Sequence, residues 1–208
     1  MADKPAASVA SVASAEAAVA REAATKAHAK CEAMKDRAVQ TARVAFMLDA
    51  LRAYGCPVGD NPERTFISCA KLGTDKAGGF QTQPGQQPHI YLGEDVGYGP
   101  KQVEQTLTHE LVHAFDQCRA KVRWDNLLHH ACTEIRASAL SGECDLMEEV
   151  NRGNLSNFAG QQTACVKRRA ELSVAMNPHC DSKAKAAEAV KAAFERCYYD
   201  TSPFMRMP

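Results

Sequence analysis

Large apolar residues are distributed unevenly along the chain, and their spacing divides it into segments. Residues 1–27 hold almost none, being rich in Ala and Ser. Ala favours helix, but Ala and Ser bury too little area to dock a helix firmly. The pattern predicts a flexible or partly helical tail over 1–27 and a folded domain over 28–208. From Cys31 to Tyr54, Val39, Val44, Phe46, Met47 and Leu51 recur at helical spacing, and Gly55 supplies a stop. Phe66-Ile67-Ser68-Cys69 reads as a strand. Gly78-Gly79-Phe80 and His89-Ile90-Tyr91-Leu92 flank a Pro/Gly/Gln segment, which predicts two short strands around a loop.

Pro100 then opens a long amphipathic helix, with Val103, Leu107, Leu111, Ala114, Phe115 and Cys118 three and four residues apart. Further helices are predicted over about 126–140, 161–175 and 183–198, separated by Ser141-Gly142 and Asn177-Pro178. A small antiparallel sheet followed by helices is an α+β layout, mainly helical.

Composition narrows the function classes. The chain has 208 residues, 45% hydrophobic and 24% charged, enough for one compact domain with a real core. Its 25 basic and 25 acidic residues cancel, and its longest basic run is Lys167-Arg168-Arg169, which argues against nucleic-acid binding. No run approaches the ~18 apolar residues of a membrane span, so a soluble chain is expected. Nine cysteines without a C-x-x-C pair suggest neither a zinc finger nor a thioredoxin-like centre. They are structural thiols or long-range disulfides, depending on the compartment. The first 22 residues carry one Arg and three acids, unlike an Arg-rich transit segment, so composition leaves the compartment open.

The chemistry lies in the helix after Pro100, where His109-Glu110-Leu111-Val112-His113 matches H-E-x-x-H. Histidines at i and i+4 project from one face, so both imidazoles reach one Zn²⁺. Glu110 between them is the candidate catalytic base, placed to take a proton from a water whose pKa zinc lowers to about 7. Chance yields the pattern in about 1–2% of chains of this composition. The plain alternative is a pair of surface or core histidines with an incidental Glu. Leu111, Phe115 and Cys118 place the helix in the core, where an unpaired His-Glu-His set would be costly. The metzincin extension is excluded, because its Gly and third His positions hold Asp116 and Arg119. The third ligand must then come from the following helix. Glu134 is preferred, on a face with Ala131, Ile135 and Ser138, and His130 is the alternative. Asp116 either holds the free ring nitrogen of a ligand histidine or pairs with Arg119. Gly78-Gly79-Phe80 is a candidate active-site edge strand for an extended substrate, or simply a turn with an anchoring aromatic.

The string Thr108-His109-Glu110-Leu111-Val112-His113-Ala114-Phe115-Asp116-Gln117-Cys118-Arg119-Ala120-Lys121-Val122 resembles the signature of a mitochondrial inner-membrane zinc metalloprotease family that processes and helps assemble the Fo part of ATP synthase. The likeness continues through Trp124, Asn126, His130-Ala131-Cys132, Glu134-Ile135-Arg136-Ala137, Leu140-Ser141-Gly142-Glu143-Cys144, Cys165-Val166, Arg168-Arg169-Ala170 and Pro203-Phe204. It covers roughly residues 31–208. It implies a zincin-like fold and peripheral attachment to the intermembrane-space face of the inner membrane. It also implies proteolysis of the Fo subunit 6 precursor, a separable chaperone-like role in Fo assembly, and oxidised cysteines. Where the family usually has Cys after the Ile90 strand, this chain has Gly93, which accounts for the odd cysteine count. The resemblance leaves an alternative open: an Fo assembly chaperone that does not cleave, with zinc only holding two helices together.

Overall fold

The computed structural model describes residues 7–73, 76–83, 85–154 and 160–208, and among residues 7–15 the side chain of Ser14 alone. Residues 1–6 of the predicted tail and Pro84 of the predicted loop lie outside this set. Helix α1 (Ala7–Ala38) runs unbroken through the segment read as a tail. Its Ala content sustains the helix, while Cys31, Lys35 and Ala38 near its C-terminal end are the positions that reach the core. The one helix expected over 31–54 is two, because α1 stops at Ala38 and α2 (Ala42–Ala53) restarts after it. Thr41 makes the break: its backbone is extended (ψ 149°), and its hydroxyl donates to the Ala38 carbonyl that a continuing helix would have used. The bend lets Val39 and Val44 both point inward.

A short helix, α3 (Pro62–Thr65), leads into strand β1 (Ile67–Ala70), followed by β2 (Gly78–Gln81) and β3 (His89–Gly93). The expected β2–β3 pair is antiparallel, Phe80 opposite Ile90. The sheet as a whole is mixed rather than antiparallel, because β1 pairs with β3 in parallel, Ile67 against Ile90 and Cys69 against Leu92. β1 and β2 run in opposite directions without pairing, and β3 fills the gap between them, giving the order β1-β3-β2. β3, with Ile90 and Leu92 buried, takes the doubly paired centre, and the glycine-rich β2, with no buried residue, is left at an edge. At Gly93 a Cβ would come within 2.5 Å of the Lys76 carbonyl. The backbone of 76–77 closes over this position, with Gly93 N–H donating to Ala77 at 2.8 Å.

The second half is helical: α4 (Pro100–Ala120), α5 (Leu127–Leu140), α6 (Leu146–Asn151), α7 (Gln161–Ala175) and α8 (Lys183–Tyr198). Pro100 occupies the first turn of α4, where its missing N–H costs nothing, and the Gln102 side chain accepts from Gly99 N–H at 3.1 Å. Asn126 caps α5 by accepting from Leu128 and His129. The six-residue α6 carries too few apolar positions to show a period.

Two apolar cores result. One gathers the end of α1, α2, the sheet and α4 around Val44, Met47, Leu51, Leu107 and Leu111. The other gathers α5, α7 and α8 around Ile135, Val166, Val190 and Phe194. α5 contributes Ala137 and Leu140 to the first and Ala131 and Ile135 to the second. The α4–α5 contact is therefore the seam of the molecule.

Disulfides staple both halves. Cys31–Cys69 ties α1 to β1, and Cys56–Cys118 ties the loop after α2 to α4. Cys132–Cys197 joins α5 to α8, and Cys144–Cys165 joins the loop after α5 to α7. Cys180 is the one free cysteine. Thiol titration of the unreduced, denatured chain is expected to count one thiol. A count of nine in native material would mean a reducing compartment and would overturn the pairing.

Candidate metal centre

The site lies on the seam. His109 and His113 stand one turn apart on α4, rings 4.8 Å apart and nearly perpendicular. Glu134, on the facing side of α5, reaches both: Oε2 lies 3.4 Å from His109 Nε2, and Oε1 lies 3.4 Å from His113 Nε2. The three side chains offer ligand atoms all within 4.8 Å of one another, the one such cluster among the described residues.

Each histidine is oriented from behind, and the hydrogen bonds define the tautomers. His113 Nδ1 lies 2.9 Å from Thr133 Oγ1, whose single proton goes to Asp116 Oδ2 at 2.9 Å. The hydroxyl must therefore accept from His113 Nδ1–H, which leaves Nε2 as the free lone pair facing Glu134. Of the two roles foreseen for Asp116 it takes the pairing with Arg119, at 3.0 Å; the ring nitrogen is held by Thr133, which Asp116 orients in turn. His109 Nδ1 lies 3.2 Å from Glu143 Oε1.

His130 stands beside this cluster rather than among its three members. Its Nδ1 takes the Asn177 amide at 2.8 Å, and its Nε2 lies 3.2 Å from Glu134 Oε1, so it donates to that carboxylate. Burial pushes the Glu134 carboxyl up, but the surrounding histidines hold it well below the usual carboxylate range. Its Oε2 is nonetheless buried without accepting a hydrogen bond.

Glu110 differs in kind. It is buried yet makes no hydrogen bond or ion pair among the described residues, and burial raises its pKa despite the pull of His109 and His113. The start of β2 lies directly on this part of α4: a Cβ on Gly78 would sit 2.7 Å from Thr106 Cγ2 and 3.3 Å from Glu110 Cγ. The glycine expected to shape an edge strand does so by close approach. Trp124, in the loop between α4 and α5, walls the other side, edge-on to His113 at 5.7 Å and 6.3 Å from Phe80. Its indole N–H is fixed by Gln117 Oε1 at 2.9 Å. The motif reading alone does not find Trp124, Thr133 or Glu143. The single Trp next to a histidine motif is a signal for the first, whereas the others depend on which side chains meet across the seam.

A seam that sets two histidines, a carboxylate and an unbonded glutamate beside an unpaired strand edge has the makings of a metal-assisted hydrolase. Residues 29–205 match the Peptidase M76 family, and the chain belongs to that family. It is 43% identical over 164 residues to the mitochondrial inner membrane protease ATP23 of Meyerozyma guilliermondii, covering 79% of this chain and 64% of that protein. It is 38% identical over 184 residues to its Schizosaccharomyces pombe counterpart, covering 88% of this chain and 95% of that protein. The counterpart in Malassezia globosa is 37% identical over 193 residues, covering 86% and 77%. No solved structure matches the chain. No helix among the described residues is long and apolar enough to cross a membrane.

Proposed function

We propose that the chain is a zinc-dependent endopeptidase with a zincin-like active-site helix, acting at the mitochondrial inner membrane from the intermembrane-space side. The observation that carries this reading is the buried His109–His113–Glu134 cluster with Glu110 unbonded beside it. Two imidazole nitrogens and a carboxylate oxygen are a common donor set of catalytic zinc. The orphaned Glu134 Oε2 is an acceptor that a cation would satisfy. Zinc on these three residues would supply a Lewis acid for the scissile carbonyl and ease the deprotonation of water.

The chain's own residues supply the rest. Glu110 is the general base, taking the proton of the attacking water and passing it to the leaving amine. The unpaired edge of β2 offers backbone groups to an extended polypeptide, with the Phe80 and Trp124 rings beside it. Four disulfides favour an oxidising compartment over a reducing one. The relatives' names support the inner membrane, and the family resemblance supports peripheral attachment, the Fo subunit 6 precursor as substrate and a part in ATP synthase assembly.

Metal analysis tests the centre. One zinc per chain is expected in the wild type and in His130→Ala, and little in His113→Ala or Glu134→Ala. Zinc retained in Glu134→Ala but lost in His130→Ala would transfer the third ligand to His130. No zinc in carefully prepared wild type would end the catalytic reading.

A further inference from the structure

A fully formed turn aims a second buried carboxylate at His109. α5 ends at Leu140, and the next three residues are held at nearly every polar atom. The Ser141 carbonyl accepts from Arg43 Nη1 at 2.8 Å, and the Gly142 carbonyl accepts from Gln105 Nε2 at 3.0 Å. Gly142 adopts φ +81°, and a Cβ there would collide with the Arg43 guanidinium, so this reversal requires glycine. The Glu143 carbonyl accepts from Arg152 Nη1 at 2.5 Å, and Cys144 is fixed to Cys165 of α7. The turn delivers the Glu143 side chain, 7% exposed, into the seam. There Oε1 meets His109 Nδ1 at 3.2 Å, while Oε2 is clamped by Arg169 Nη2 of α7 at 2.7 Å.

We infer that Glu143, clamped by Arg169, is a positioning residue for His109: it accepts a hydrogen bond from Nδ1–H, fixes the ring so that Nε2 faces Glu134, and strengthens that nitrogen as a metal donor. The inference rests on the metal-centre reading above. The two histidines are then supported unequally, His113 by a neutral hydroxyl and His109 by a full carboxylate whose second oxygen is neutralised from another helix. Outer partners of this kind set the orientation and basicity of the ligand they hold, and their loss costs about 10–100-fold in metal affinity. Among the described residues the Glu143 side chain bonds His109 and Arg169 and makes no hydrogen bond with Glu110, so its part is in holding the centre.

The test measures zinc affinity by competition with a chelator, and the visible absorption of the cobalt-substituted protein, for wild type, Glu143→Ala, Glu143→Gln and Glu143→Asp. Glu143→Ala is expected to lose about 10–100-fold in affinity and to shift the cobalt spectrum. Glu143→Asp, which keeps the charge, should recover part of both. Glu143→Gln keeps the shape and tests the charge if the alanine variant fails to fold. Folded variants with unchanged affinity, or weaker affinity with an unchanged cobalt spectrum, would overturn the inference and leave the metal centre standing. A wild type that binds neither ion would overturn the centre itself.

Discussion

Glu110→Gln is expected to lower the rate of peptide-bond cleavage by about 10²–10⁴-fold while zinc content and thermal unfolding stay at wild-type values. The substitution replaces the carboxylate with an amide of the same shape, so neither the packing on Gly78 nor the cluster of His109, His113 and Glu134 need change. Only the capacity to take a proton is lost. The native carboxylate has no structural partner to leave stranded, since no hydrogen bond or ion pair engages it among the described residues, and a buried acid kept free of partners is hard to explain as scaffolding. The same variant separates the two functional readings. A structural zinc site has no use for Glu110, so an assembly factor that does not cleave would be indifferent to the exchange. Full proteolysis by Glu110→Gln would remove it from the mechanism, whereas assembly of ATP synthase by a cleavage-dead Glu110→Gln would show the two activities to be separable. The measurement is cleavage of a polypeptide substrate by metal-loaded wild type and variant at matched zinc content.

What the sequence makes legible here follows from how local each feature is. α4 is readable because Val103, Leu107, Leu111 and Phe115 repeat on one face, and the same period puts His109 and His113 together. Glu134 is readable at one remove, from its place among small residues on the next helix. The parallel β1–β3 ladder is not, because the alternation within Ile67–Ala70 says which face is buried and nothing about which strand lies alongside. The break at Thr41 escapes for a related reason: apolar spacing from Cys31 to Leu51 is compatible with one helix, and a single side-chain hydrogen bond decides otherwise. Thr133 and Glu143 are ordinary residues until α5 and its closing turn bring them against α4. Their roles are contacts at separations of 20 and 34 residues, which no local pattern encodes.

Arg136→Met is expected to destabilise the fold by about 3–5 kcal/mol, among the largest losses of any substitution outside the cores. Arg136 is 1% exposed and stands where three elements meet. Its Nε bonds both oxygens of Asp116 on α4 at 3.0 Å, and Nη1 pairs with the Asp200 carboxylate at 2.8 Å. Nη1 and Nη2 also donate to the carbonyls of Asp200 and Ser202 in the C-terminal segment. Methionine fills much of the volume but takes away one of the two guanidinium partners of buried Asp116 and the donors of two carbonyls, and under-compensated buried polar groups are what make breaking such a set expensive. Arg119 supplies the control. It touches the same two acids, at 3.0 and 2.5 Å, but its side chain is 21% exposed, so water can replace it and Arg119→Met should cost about 1 kcal/mol or less. Denaturant titration of both variants with disulfides intact measures the difference. An Arg136→Met protein within about 1 kcal/mol of wild type would mean that the cluster is already solvated. The effect should reach the metal centre as well, because Asp116 is the acceptor that fixes the Thr133 hydroxyl, and Thr133 fixes His113. Residual zinc affinity in the folded fraction of Arg136→Met should therefore fall, whereas a loss of stability alone would leave it unchanged.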